Sequence, residues 1–330
     1  MTTVLVTGAS GFIAKHIVRE LLEHDYSVKA AVRSHTRQAQ VEALFPGADL
    51  SFVSLDLLSD EGWAEAMVGV DVLLHTASPF PVDEPKDPQE IIRPAVEGTR
   101  RALVAAQAAG VHRVVLTSSC AAIYKDSAKP RMDVSTPANW TDPKHPDTTA
   151  YEASKTLAER AAWAFVAEHP EMQLTTINPG AVFGPPMDEY YATSLAYVER
   201  FLGGVDPAYP KSNLPIVDVR DVARMHVTAI DSAVAIGKRY PANAGAMMIT
   251  EASTVLKNAY PQRKITTRQL PDWLVKVVAP FNPAVRALAG SIQRNLDVDG
   301  SDAPRDLGFT YISSTDAILA SAEYLVANEH

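Results

Sequence analysis

The sequence of 330 residues contains a single cysteine, Cys120, so it cannot form an internal disulfide bond. One cysteine also provides no cluster for a structural metal site. The low count is typical of proteins from reducing compartments, and we expect a cytoplasmic location. The first residues, TTVLVTGASG, lack the basic and apolar regions of a signal peptide, and we expect none.

An excess of basic charge is lacking as well. The chain has 30 Lys and Arg against 39 Asp and Glu, a formal net charge of −9. Proteins that bind nucleic acid usually present a basic stripe, and none is evident, so we expect no nucleic-acid partner. Long apolar runs are also missing, and we expect no membrane contact. The 47% hydrophobic and 21% charged residues are typical of an ordinary globular protein.

The first half of the sequence alternates short β-branched runs with helical patterns. Strands are predicted at 2–7, 27–32, 50–55, 70–77, 111–119 and 172–180. Between the first two, residues 13–24 have the apolar spacing of an amphipathic helix. Strands separated by helices indicate right-handed crossovers. The predicted fold is therefore α/β, a Rossmann-type, doubly wound parallel sheet.

The alternation ends after Gly180, where proline and aromatic residues become frequent. We assign residues 1–180 to a dinucleotide-binding domain. Residues 181–213 and 241–330 are predicted to form a smaller α/β substrate-binding region. Residues 214–240 read as a strand followed by a helix, and we expect them to return to the first domain.

A glycine-rich turn, VTGASGFIA at 6–14, stands between the first strand and the first helix. Gly8 can adopt positive φ in the turn, and Gly11 lacks a Cβ where a diphosphate would approach the backbone. The free N–H groups and the dipole of the helix would hold that diphosphate. An ordinary tight turn is the alternative. The candidate cofactor contacts here are Gly8, Ser10, Gly11, Phe12 and Ile13.

The end of the second strand bears on the choice of dinucleotide. NAD sites usually carry an acidic residue there, whereas arginine accommodates a 2′-phosphate. The sequence has Arg33 and Arg37 with no acid between them, which favours NADP(H); two solvated surface arginines are the alternative. Asp56, followed by Leu57, stands where a carboxylate could bond the adenine amino group, or it starts the next helix.

Tyr151 and Lys155 lie four residues apart and share one helical face. Carbonyl reduction needs a proton donor and a group that polarises the carbonyl oxygen. The ammonium of Lys155 would lower the pKa of Tyr151, and Ser119 follows the fifth predicted strand at the ligand-binding edge. Each feature alone is common in proteins. Their order after the glycine turn is what points to a catalytic set.

Several motifs together resemble the extended short-chain dehydrogenases/reductases. They are TGASGFIA, HTASPF (75–80), VVLTSS (114–119), YEASK (151–155), NPGAVFGP (178–185), VDVRDVARMH (217–226) and SDAPRDLGF (301–309). The nearest branch is that of the dihydroflavonol and cinnamoyl-CoA reductases, and within it the yeast-type methylglyoxal/ketone reductases. This resemblance implies NADPH-dependent, reversible reduction of an aldehyde or ketone to the alcohol.

The resemblance also implies roles for individual residues. Ser119 would polarise the carbonyl, Tyr151 would serve as acid/base, and Lys155 would orient the ribose and tune Tyr151. The further cofactor contacts that it implies are Thr76, Ala77, Ser78, Pro179 and Val182. One departure concerns Ala95, which stands where many relatives carry the asparagine of a water relay.

The substrate pocket is predicted to be apolar with a few hydroxyl groups. The residues predicted to line it are Phe80, Cys120, Tyr124, Met187 and Tyr190; further candidates are Ile123, Tyr191 and Tyr197. Cys120 is expected to be pocket wall and not a nucleophile, because no histidine partner is evident. The competing functions are an NAD(P)-dependent nucleotide-sugar epimerase/dehydratase and a non-catalytic NADP-binding redox sensor. We expect a monomer or homodimer and no metal.

Overall fold

The structure is a computed structural model that describes residues 1–79, 85–191, 193–278 and 294–329. The strands are β1 (Thr3–Thr7), β2 (Ser27–Val32), β3 (Leu50–Ser54), β4 (Val72–His75), β5 (Arg113–Thr117), β6 (Gln173–Pro179), β7 (Ala181–Phe183), β8 (Asn213–Asp218), β9 (Arg239–Ala242) and β10 (Gly245–Met248). The helices are α1 (Phe12–Glu23), α2 (His35–Leu44), α3 (Trp63–Met67), α4 (Gln89–Ala108), α5 (Ala150–Glu168), α6 (Thr193–Gly203), α7 (Val219–Asp231), α8 (Ile249–Ala259), α9 (Asp272–Val278), α10 (Asp302–Leu307) and α11 (Ser314–Ala327).

Seven parallel strands form the main sheet in the order β3-β2-β1-β4-β5-β6-β9. Successive residues of β1 face opposite sides, so Val4 and Val6 belong to the core beneath α1 and α7. Leu5 belongs to the core beneath α3, α4 and α5. Because both faces are covered, the middle residues of β1, β4 and β5 are apolar. The predicted parallel α/β fold is confirmed.

A second sheet of three strands, ordered β10-β8-β7, lies beside the main one. Strand β8 pairs in parallel with β7 and antiparallel with β10. The stretch at 214–240 is therefore divided between the sheets. Its strand belongs to the small sheet, α7 packs on α1 and on the main sheet, and β9 joins the edge of the main sheet.

The strand order changes direction between β1 and β4. The chain adds β2 and β3 on one side of β1 and then adds β4, β5 and β6 on its other side. Ligands of doubly wound sheets bind at the carboxyl ends of the strands next to this point. The carboxyl ends of β1, β4, β5 and β6 therefore set the place of the site. None of the helices within the described ranges is long and apolar enough to span a bilayer.

Candidate active site

The glycine turn after β1 fits closely against the end of β4. Gly8 has φ +66°, and a Cβ on it would lie 3.0 Å from the Cα of Ala77. The backbone N–H groups of Thr76 and Ala77 both donate to the Thr7 hydroxyl at 3.1 Å, which fixes this contact. Only glycine suits position 8, because a side chain there would be strained and would collide.

Gly11 has a different reason to be glycine. It is the N-cap of α1 with φ −75°, so positive φ is not required, but a Cβ would approach the Gly8 carbonyl oxygen to 3.2 Å. No side chain caps the helix here. The first N–H groups of α1 therefore remain available for an anion. Ser10 and Ile13 are half-buried at this turn, and Phe12 is buried.

Arg33 directly follows β2, whereas Arg37 lies in the first turn of α2, and the two have different surroundings. The side chain of Arg33 is exposed and has no hydrogen-bond or ion-pair partner in the described part of the chain. The guanidinium carbon of Arg37 lies 4.8 Å from the ring centre of Tyr190, and Nη1 donates to Gln40 at 2.9 Å. The carboxylate of Asp56 accepts from the Leu58 N–H at 2.8 Å.

The segment between β7 and α6 lies against α1 and Arg37. Lys15, which is buried in α1, pairs with Asp188 and donates to the carbonyl oxygen of Tyr190 at 2.7 Å. The structure thus places Tyr190, a predicted substrate residue, against a predicted cofactor residue. Met187, from the same segment, is half-buried. Sequence analysis missed the buried Lys15, which no local pattern distinguishes from a surface lysine.

Ser119, Tyr151 and Lys155 come together from β5 and α5. Ser119 follows β5 and its hydroxyl accepts from the Ala121 N–H at 3.1 Å. The hydroxyls of Ser119 and Tyr151 are hydrogen-bonded to each other. The ammonium of Lys155 lies 6.0 Å from the centre of the Tyr151 ring. Pro179 also belongs here, since its carbonyl oxygen accepts from Ser119 Oγ at 3.4 Å.

Burial dominates the electrostatics of this set. It raises the pKa of Tyr151 to about 12, although the hydrogen bond with Ser119 acts to lower it. Burial also lowers the pKa of Lys155 to about 8, against the opposite effect of the Glu159 carboxylate. The sequence predicted that Lys155 would lower the pKa of Tyr151, but the pKa is raised, and the lowering influence on it is the hydrogen bond with Ser119. At neutral pH, Tyr151 carries its proton and Lys155 is mostly charged.

The predicted pocket residues differ in their accessibility. The ring of Tyr124 packs against Cys120 and Ile123, and its hydroxyl donates to Glu152 at 3.1 Å, next to Tyr151. Cys120 is only 1% exposed, and its thiol donates to the Asn178 carbonyl oxygen at 3.1 Å, so it offers a substrate almost no surface. Burial raises the pKa of this thiol well above its usual value, which agrees with its not being a nucleophile.

The remaining candidates are placed as follows. Ile123 is fully buried, Tyr191 donates to Glu199, and Tyr197 is exposed. Ala95 is buried in α4 and has no polar group with which to hold a water molecule. Phe80 lies outside the described residues. Val182 is buried, whereas Leu57 is half-buried. Ser78, which follows the carboxyl end of β4, is also half-buried.

Sequence analysis also missed two buried carboxylates on α5. Glu152 accepts from Lys125 Nζ at 2.8 Å, and Glu159 accepts from Arg239 Nε at 2.6 Å. A signal for Glu159 was available, because it follows Lys155 by four residues and shares its helical face. No group of three or more potential metal ligands was found among the residues that the structure describes.

The chain matches the NAD dependent epimerase/dehydratase family over residues 4–245, and it belongs to that family. A cinnamoyl-CoA reductase of Medicago truncatula is 36% identical over 278 residues, which are 82% of this chain and 84% of the relative. A putative NADPH-dependent methylglyoxal reductase of Candida albicans is 35% identical over 262 residues, 72% of this chain and 77% of the relative.

Among solved structures, the yeast methylglyoxal/isovaleraldehyde reductase Gre2 complexed with NADPH superposes with a TM-score of 0.83. It is 27% identical, and the match covers 99% of this chain and 98% of that one. The recognition of an extended short-chain dehydrogenase/reductase, similar to the cinnamoyl-CoA and methylglyoxal reductases, is confirmed.

Proposed function

We propose that the protein is an NADPH-dependent reductase that converts a small or medium aldehyde or ketone into the alcohol. The observation that carries the proposal is the hydrogen-bonded Ser119–Tyr151 pair with Lys155 beside it, at the carboxyl ends of β5 and β6. The similarity to the NADPH-dependent relatives named above supports both the reaction and the cofactor.

The residues around the glycine turn fit a dinucleotide. The N-terminus of α1, which no side chain caps, would hold the diphosphate. Gly8 has no side chain that could obstruct the diphosphate. The unpaired side chain of Arg33 would bond a 2′-phosphate, together with Arg37. When bound, the reduced nicotinamide supplies the hydride that the carbonyl carbon receives.

The chain itself would supply the proton and the orientation. Ser119 would donate its hydroxyl to the carbonyl oxygen and polarise it. Tyr151, protonated at neutral pH because of its raised pKa, would give its proton to that oxygen as the alcohol forms. The charged Lys155 would stabilise the tyrosinate that remains until a solvent proton replaces the one transferred. The same steps in reverse order would oxidise the alcohol.

Consumption of NADPH with carbonyl substrates tests the proposal. The purified protein is mixed with NADPH and a panel of α-ketoesters, aryl ketones and aldehydes, and the absorbance at 340 nm is followed. We expect turnover with several of them. A folded, NADPH-binding protein that reduces none would contradict the proposal. A nucleotide-sugar epimerase would instead retain NAD through purification without net consumption of added cofactor.

Replacement of Tyr151 by phenylalanine separates the reductase from a non-catalytic sensor. Because only the phenolic hydroxyl is removed, we expect NADPH to bind with little change and the reduction rate to fall by about a hundredfold or more. Cofactor binding is followed by quenching of protein fluorescence, and turnover at 340 nm. Tyr260→Phe, which removes a hydroxyl from a tyrosine at the end of α8 and outside the candidate site, is the matched control. Full activity in Tyr151→Phe would exclude the proposed role.

A further inference from the structure

Glu159 is a fully buried carboxylate surrounded by donors from several elements. Ser118 Oγ donates to it at 2.5 Å, Asn178 Nδ2 at 2.7 Å and Arg239 Nε at 2.6 Å. Trp163, one turn further along α5, donates from its indole N–H at 3.2 Å. A buried carboxylate is strongly unfavourable unless it is paired and hydrogen-bonded in this way. These donors and the ion pair with Arg239 satisfy the Glu159 carboxylate in the interior.

Two of these donors stand directly beside residues of the candidate site. Ser118 precedes Ser119, and Asn178 precedes Pro179, whose carbonyl oxygen accepts from Ser119 Oγ. The amide of Asn178 also donates to the Ser119 carbonyl oxygen at 3.3 Å. The carboxylate of Glu159 therefore joins the carboxyl ends of β5 and β6, the two strands whose ends hold Ser119.

Glu159 also lies on the helix that carries the other two catalytic residues. Tyr151, Lys155 and Glu159 follow each other at intervals of four residues, so they share one face of α5. We propose that Glu159 is a positioning residue of the active site, which holds the Ser119 turn against α5 and places a negative charge one turn from Lys155. This inference rests on the proposed reductase function.

Arg239 on β9 acts as the counter-ion of Glu159. Besides its bonds to the carboxylate, it donates to the Asn139 carbonyl oxygen at 2.8 Å, and its guanidinium carbon lies 3.7 Å from the ring centre of Trp140. These contacts fix the guanidinium independently of Glu159. The positive charge of Arg239 therefore offsets part of the effect that the buried Glu159 carboxylate has on its neighbours in the site.

The charges around Lys155 make the consequence measurable. In the part of the chain that the structure describes, the titratable groups that interact with its ammonium include His75 on β4 and Tyr151 and Glu159 on α5. Burial and the charge of Lys155 lower the pKa of His75 to about 3, so His75 is neutral at working pH. Tyr151 is neutral as well. Glu159 is then the group whose charge keeps Lys155 protonated near neutral pH, against the effect of burial.

Three substitutions test the inference through the pH dependence of reduction. We expect wild-type activity to fall as the pH rises through the pKa of Lys155. Glu159→Gln removes the negative charge, so this fall in activity, the alkaline limb of the pH profile, should move to lower pH. The kcat should fall by about tenfold or more, with little change in KM. Arg239→Gln removes the opposing charge, and the limb should move to higher pH.

Trp163→Phe is the matched control, because it removes one hydrogen bond to Glu159 and no charge, away from the Ser119 turn. We expect it to lower stability and leave the limb in place. The pH dependence of NADPH affinity, measured by protein fluorescence, reports the same group without turnover. If Glu159→Gln does not fold, the upward shift in Arg239→Gln carries the test.

The outcomes distinguish this inference from the proposed function. An active wild type whose pH limb is unchanged in both Glu159→Gln and Arg239→Gln would overturn the role of Glu159 and leave the reductase intact. A wild type that reduces no carbonyl would overturn the reductase, and the shifts in NADPH affinity would then decide on Glu159 alone.

Discussion

Tyr151 and Lys155 show how one cause shifts two residues in opposite directions. Burial disfavours the charged form of each, so it raises the pKa of the phenol to about 12 and lowers that of the ammonium to about 8. Both shifts increase the population of the neutral forms. For the proposed reduction this is favourable, because Tyr151 keeps the proton that it would donate while Lys155 titrates close to neutral pH.

At the same scale, Arg33 is expected to set the choice of dinucleotide. Arg33→Ala removes a cation that would bond the 2′-phosphate, and a hydrogen bond between charged groups contributes about 1.5–3 kcal/mol. We expect the KM for NADPH to rise by about tenfold or more and the KM for NADH to stay nearly constant. Steady-state kinetics with both cofactors measure this. Arg268→Ala, at an exposed arginine, is the control. Equal changes for both cofactors would refute the assignment.

At the scale of the element, α5, which carries the proposed catalytic residues Tyr151 and Lys155, begins with a capping box. Thr149 is its N-cap and accepts from the Glu152 N–H at 3.2 Å, while the Glu152 carboxylate accepts from the Thr149 N–H at 2.8 Å. This capping box fixes the first turn, which contains Tyr151. Glu152 also accepts from Lys125 and Tyr124, so the same cap ties the helix to the loop after β5.

The cap of α5 can be tested by its stability. Thr149→Ala removes the hydroxyl that accepts from Glu152, and loss of an N-cap costs about 0.5–2 kcal/mol. We expect the free energy of unfolding in urea to fall by about 1 kcal/mol. Thr149→Ser retains the oxygen and should lose much less. The same loss in both variants would mean that the threonine methyl group, and not the cap, is responsible.

At the scale of the whole molecule, three buried histidines join separate elements. His16 of α1 bonds the carbonyl oxygen of Pro185 at 3.1 Å, beyond β7. His75 of β4 bonds Thr7 of β1 at 2.8 Å. His226 of α7 lies 2.7 Å from the Thr117 hydroxyl of β5. Burial lowers the pKa of each, to about 4 for His16 and His226 and about 3 for His75.

These histidines predict a loss of stability in mild acid. The ordinary pKa of histidine in the unfolded chain is about 6.5. Below this pH the unfolded chain binds protons that the folded one excludes. The histidine contribution is therefore complete above pH 6.5 and is lost as the pH falls toward 4. Each group contributes at most about 1.4 kcal/mol per pH unit to this slope.

His226→Asn tests this dependence, because it removes one titrating group and keeps a polar side chain. We expect the free energy of unfolding to vary less steeply between pH 6.5 and pH 4 than in the wild type. Thr117→Val removes the hydrogen-bond partner without removing a titratable group, so it should lower stability by a similar amount at every pH. A wild-type slope in His226→Asn would contradict the prediction.

The local sequence determined the parallel α/β fold, the glycine turn and the recognition of the family. Each depends on patterns over a few residues: apolar runs with crossover spacing, a glycine that needs positive φ, and motifs in a fixed order. Gly8 is a clear case, because its φ of +66° follows from the turn itself. The roles of Ser119, Tyr151 and Lys155 stay predictions until they are tested, as do the oligomeric state and the division at residue 180.

Only the tertiary structure decided which side chains surround the catalytic set. Glu159 receives donors from residues 19 and 80 positions away along the chain, and Lys15 meets Asp188 across 173. Packing of the main sheet against α5 brings the donors to Glu159, and burial in this region sets the pKa values of Tyr151 and Lys155. Desolvation depends on all the neighbours of a group at once, which is why a local pattern of residues indicates the chemistry and the folded molecule fixes its energetics.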